Sequence, residues 1–185
     1  MLEQEEIVQN WETFCNLAEN GTGERSESIK VLLENLGDRI LACASTIRSS
    51  PGSLVDQNLK ILKACTSLNS KFKLGLSKES MIIVNLFRNI GMIGTLEEDL
   101  MIVQNSDWHK NRGDFFKYNQ NLPFMRTYDR SIQLLQHFGV KLTPDEHIAI
   151  LTSGGNNEEY NKYKEPALSF ATYSALRLVG YADKD

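Results

Sequence analysis

The stretch Leu76–Gly94, LSKESMIIVNLFRNIGMIG, constrains the fold more than any other part of the chain. Ser77 predicts an N-cap, and the residues after it run as a helix until Gly91 and Gly94. Met81, Ile82, Ile83, Val84, Leu86, Phe87 and Ile90 cover nearly the whole circumference, the mark of a helix buried on all sides. Into that apolar cylinder the chain places Arg88 and Asn89. A buried guanidinium carries a desolvation cost of several kcal/mol and must be paired, with Asp56 or Asp129 the candidate acceptors. The competing reading puts Arg88 at the helix end, its head snorkelling to water.

Other helices are expected around this one. Ile7, Trp11, Phe14, Cys15 and Ala18 recur at helical spacing from Glu3 to about Asn20, ended by Gly21-Thr22-Gly23. A second helix buries Ile29, Val31, Leu32, Leu33 and Leu36, with a break expected at Gly37. After the turn formers of Ser45–Ser53, Pro51 opens a long helix whose stripe is Val55, Leu59, Leu62, Cys65, Leu68 and Phe72. Thr95–Gln120 is irregular, with a short hairpin allowed within 101–117. Ile132, Leu134, Leu135 and Phe138 mark a further helix after Pro123. Thr143-Pro144-Asp145-Glu146 predicts a helix start: cap, proline, then acids favoured by the helix dipole. Asn156–Lys164 reads as a polar loop, and Glu165-Pro166 opens a last helix through Val179. No strong period-2 segment appears, so the expected class is all-α. The expected organisation is one structural domain: a helical segment, 1–36, packed on the main helical body, 37–185.

Three cysteines, Cys15, Cys43 and Cys65, lie far apart without CxxC spacing and read as reduced core residues of a cytoplasmic protein. The formal net charge of -4 argues against broad, sequence-independent nucleic-acid binding. No apolar run approaches the roughly 20 residues of a membrane span, and the acidic start MLEQEEIVQNW lacks the order of a signal peptide.

Leu86-Phe87-Arg88-Asn89-Ile90-Gly91-Met92-Ile93-Gly94 resembles the central segment L-[LF]-H-D-[IL]-[GC]-K-[VI]-G of HD-domain phosphohydrolases. Pro51–Leu59 is similar to that family's P-G-G-L-x-[DE]-H-S-L, with Gln57 at the histidine. Asn121–Ser131 resembles L-P-[YF]-M-x-H-G-[ED]-R-S, with Thr127 at the histidine, and Phe138–Thr143 followed by Ile148-Ala149-Ile150 matches F-x-x-L-T-x-E-E-x-x-A-I. Ser106–Lys110 and Lys117–Asn119 resemble a variable region of phage and bacterial members. The next family histidine falls near Thr152-Ser153, and the closing Ala-Asp pair is missing near Ser174-Ala175.

The resemblance spans about 37–179 and implies an HD-like helical bundle. It also implies a phage-encoded origin and a place in the host bacterial cytoplasm. In such enzymes His and Asp ligands hold a divalent metal that polarises phosphate and acidifies bound water. Here the former metal-site positions are Gln57, Arg88, Asn89, Thr127 and Ser153: four weak neutral donors and one cation. The expectation is therefore a catalytically inactive binding protein without metal or cofactor. Its partner would be a protein or a nucleotide-like anion, the latter held by Arg88, Arg126 and Arg130. Trp108, Arg112 and Phe116 are the candidate protein-binding surface, the alternative being a loop packed on the domain by its own aromatics. The rival functions are a phosphohydrolase with a relocated site at Asp56, Asp129 or Glu97–Asp99, and a structural or assembly protein. His109, His137 and His147 lack ligand spacing to one another.

Overall fold

The computed structural model describes residues 2–45, 50–112, 116–155 and 164–182. In chain order the helices are α1 (Gln4–Asn20), α2 (Ser26–Ala42), α3 (Ser53–Phe72), α4 (Lys78–Phe87), α5 (Asp107–Lys110), α6 (Thr127–His137), α7 (Pro144–Thr152) and α8 (Ala167–Ala182). Two 3₁₀ turns, Gly23–Arg25 and Ile90–Ile93, and two strands, β1 (Met101–Val103) and β2 (Phe116–Tyr118), complete the described elements. The chain is thus mostly helical with one small antiparallel ribbon. Among the described residues no helix is long and apolar enough to cross a membrane.

Past its first turn the central helix is buried on all sides, but it ends at Phe87 instead of running to Gly91. Arg88 is its C-cap, and the buried run from Met81 to Gly91 passes into the 3₁₀ turn. Ser77 caps the helix, its hydroxyl accepting from Ser80 N at 3.0 Å. α1, α3, α7 and α8 all pack on it, and α3 also runs along α8. One continuous apolar cluster joins Phe14 and Ala18 of α1, Leu54 and Ile61 of α3, Phe87 of α4, Ile150 of α7 and Ala171 of α8. Phe14 meets Phe87 edge-on, ring centroids 5.6 Å apart.

α2 corrects the expected break at Gly37. The helix runs on to Ala42, and the indole of Trp11 lies where a side chain at 37 would sit, 3.0 Å from a Cβ built there. Gly37 is a close-approach residue between α1 and α2, not a helix stop. At α7 the predicted start is met in full. Thr143 Oγ1 accepts from Glu146 N while Glu146 Oε2 accepts from Thr143 N at 2.8 Å, a reciprocal capping box.

The irregular region resolves into a flap. β1 pairs with β2 in the register Met101↔Tyr118, Ile102↔Lys117, Val103↔Phe116, with α5 between the strands. Arg39 of α2 anchors its base. Its guanidinium donates to the carbonyls of Ile93 (3.0 Å), Thr95 (2.7 Å) and Leu96 (3.1 Å) and to Asp99 (2.8 Å). The polar loop expected at 156–164 falls almost wholly outside the described residues, as do Asp114 and Phe115.

Candidate functional site

The end of α4 is a junction of four chain segments. Asn58 of α3 donates its amide to Leu86 O at 2.9 Å, which sets the α3 turn bearing Gln57 beside the last turn of α4. Past Arg88, the Ile90–Ile93 turn docks on the start of α6. Gly91 N donates to Ser131 Oγ (2.9 Å), and Ser131 Oγ donates to Thr127 O (2.9 Å). A Cβ on Gly91 would collide with Thr127 O and stand 2.8 Å from Ser131 N, so only glycine permits this approach. Tyr128 of α6 stands near Arg88 and lies on Gly154, where a Cβ would sit 3.0 Å from the phenol oxygen. The segments carrying Gln57, Arg88, Asn89, Thr127 and Ser153 therefore meet at one place.

Arg88 is the surprise of this junction. Only 2% of it is exposed, which sets aside the snorkelling alternative, and among the described residues Nε and Nη2 have no hydrogen-bond partner. Its main-chain N–H continues the helix to Val84 O at 2.9 Å. Burial pushes its pKa down to about 10, opposed by Tyr128, so the group stays cationic at neutral pH. The expected acceptors are engaged elsewhere: Asp129 takes a fork from Arg126 at 2.7 and 3.1 Å, and Asp56 accepts from Lys60 at 2.8 Å. Both amide atoms of Gln57 and Oδ1 of Asn89 are likewise buried without partners among the described residues. Each such orphan costs about 1–3 kcal/mol, more for a charge, so the junction stores a sizeable unmet demand.

The other arginines have definite occupations. Arg130 donates to Gly91 O (3.2 Å) and Met125 O (3.3 Å), and its burial lowers its pKa. It clamps the turn after α4 onto α6. Arg126 is exposed and forked on Asp129. Of the three arginines singled out in the sequence, Arg88 alone presents buried donors without partners.

The donor set does not fit a divalent cation. Gln57 and Asn89 offer neutral amide oxygens, Thr127 and Ser153 hydroxyls, and Arg88 brings a like charge into their midst. Ser153 Oγ is in any case spent on Ile150 O at 2.7 Å. Among the described residues no three of His, Cys, Asp and Glu come together, and Asp99 is paired with Arg39. Burial raises the thiols of Cys15 to about 11 and Cys43 to about 12, so neither is an activated nucleophile.

Two further sites escaped the sequence reading. Arg25 reaches Glu146 with both Nη atoms (2.6 and 3.0 Å), Glu79 through Nε (2.9 Å) and Lys141 O (2.9 Å), tying α2, α4 and α7 together. Arg39 holds the flap base as described. The Thr143–Glu146 spacing, expected only to place acids at the helix N-terminus, is also that of a capping box. Nothing local named the partner of Glu146, 121 residues away.

The flap presents its second candidate surface outward. Val103 is 71%, Phe116 57%, Tyr118 69% and Trp108 61% exposed, and Arg112 stacks on the Trp108 ring at 4.6 Å. Trp108, Arg112 and Phe116 thus stand at the surface rather than packed into the core. Matched against protein-family models, curated proteins and solved structures, the chain finds a counterpart in none of them.

Proposed function

We propose that the chain is a binding protein on an HD-like helical scaffold without a metal centre, acting by gripping a protein partner through its flap. The observation that carries this reading is the outer face of the ribbon. Met101, Val103, Phe116 and Tyr118 are cross-strand partners on one side of it, all exposed, while Ile102 and Lys117 on the other side are half-buried. A monomer rarely leaves such an aromatic face uncovered, and aromatic and Arg anchors dominate interface energetics. Between the two strands the described residues carry Lys110 and Arg112 against the acid Asp107. In a chain of net charge -4, this local basic bias calls for an acidic, apolar protein surface. The chemistry of Gln57, Arg88, Asn89, Thr127 and Ser153 supports the non-enzymatic half of the reading. The resemblance supports the HD-like half and, with it, a phage protein at work in the bacterial cytoplasm.

The test is the triple variant Trp108→Ala, Arg112→Ala, Phe116→Ala used as bait beside the unaltered protein in native-host lysate. The variant should keep its helical circular dichroism and lose a partner that the unaltered protein retains. Identical capture by the two, or loss of the helical signal in the variant, refutes the assignment of the surface.

A further inference from the structure

We propose that Arg88, Gln57 and Asn89 form a buried binding site for a small oxyanion that carries a hydroxyl, inorganic phosphate being the simplest. The proposal stands on the junction at the end of α4 and does not rest on the flap.

The two unpartnered nitrogens of Arg88, Nε and Nη2, lie along the same edge of the guanidinium. That edge is the fork that grips two oxygens of one carboxylate or phosphate. Elsewhere in this protein the same edge is filled: Arg126 uses Nε and Nη2 to hold both oxygens of Asp129. Arg25 uses its other edge to hold both oxygens of Glu146. Arg88 is the most deeply buried of these guanidiniums and keeps its charge, yet among the described residues no carboxylate fills its fork.

The neighbouring orphans narrow the chemistry. Gln57 adds one more donor, Nε2, which suits a third oxyanion lone pair. Gln57 Oε1 and Asn89 Oδ1 are acceptors, and a bare anion has nothing to offer them. A hydroxyl-bearing oxyanion answers both needs, since hydrogen phosphate accepts from the arginine and donates its P–OH to an amide oxygen. Tyr128, half-buried near Arg88 and lying on the exposed Gly154, is the side chain such an ion would pass on entry.

The experiment is titration calorimetry of the full chain with sodium phosphate and, separately, sodium sulfate at neutral pH, where sulfate has no hydroxyl. The protein should take up one phosphate, and sulfate should bind at least tenfold more weakly. Arg88→Met should abolish phosphate uptake, while Arg177→Ala, which alters an exposed arginine of α8, should leave it unchanged. If Arg88→Met fails to fold, Gln57→Leu replaces it and should weaken phosphate at least tenfold. The proposal is overturned if the unaltered protein shows no saturable phosphate uptake at millimolar concentration. It is equally overturned if Arg88→Met, or Gln57→Leu where that variant replaces it, binds as the parent does, if Arg177→Ala abolishes binding, or if sulfate binds as tightly as phosphate.

Discussion

Replacing Glu146 by Gln tests the tie between α2, α4 and α7 with almost no change of shape. The carboxylate is fully buried and holds both Nη atoms of Arg25, at 2.6 and 3.0 Å, and the Thr143 N–H at 2.8 Å. Breaking a buried pair by removing one partner costs about 3–5 kcal/mol. Two features argue for the lower end. Glu79 keeps its contact to Arg25 Nε at 2.9 Å, and the new amide oxygen still accepts one hydrogen bond. The expected loss is therefore about 3 kcal/mol, or roughly 6–12 °C in Tm for a chain of this size.

The pH dependence adds a second, independent readout. Burial alone would raise the Glu146 pKa, but hydrogen bonds from Arg25, Thr143 and Ser80 outweigh it and hold the group below its ordinary value. A depressed carboxylate contributes stability that is complete above its unfolded pKa, near 4.3, and is lost as pH falls through the folded value. The gap between parent and Glu146→Gln should thus be constant from neutral pH down to about 5 and narrow progressively as the pH falls below the unfolded value and through the folded one. Urea unfolding followed by circular dichroism at both ends of that range measures it. A gap under about 1 kcal/mol at neutral pH, or one that persists unchanged in acid, would refute the reasoning.

Two other perturbations follow from the same structure. Gly91→Ala should cost at least about 3 kcal/mol, because its Cβ strikes the α6 backbone at Thr127 and Ser131, whereas Gly75→Ala should cost only about 1 kcal/mol. Gly75 has the left-handed φ of 71° but nothing within 4 Å of a Cβ, so comparing the two by thermal melting separates collision from backbone strain. The double variant Arg88→His, Asn89→Asp should acquire neither stoichiometric manganese nor metal-dependent hydrolysis of a generic phosphodiester. Gln57, Thr127 and Ser153 remain too weak a complement, and robust turnover would show that good ligands are nearby after all.

Much of this architecture was legible in the residues themselves, wherever the information is local. Helix geometry repeats every 3.6 residues, so six apolar side chains between Met81 and Phe87 determine a helix buried on every face before any neighbour is known. Caps are equally local: Ser77 and the Thr143–Glu146 box act within one turn, and both formed as their spacing predicts. Tertiary structure decided what lies far apart in sequence. Trp11 turned Gly37 from a helix stop into a packing contact, a choice that propensity cannot anticipate. It also distributed the arginines, whose composition is identical on paper. Arg25 met Glu146, Arg39 and Arg130 met backbone carbonyls, and Arg88 met no acceptor at its fork among the described residues. A guanidinium at the end of a long flexible stem has no partner until packing brings one within about 3 Å. The flap shows the same limit, because its aromatics suit a core or a docking face equally well in sequence. Only the pairing of β1 with β2 turned them outward.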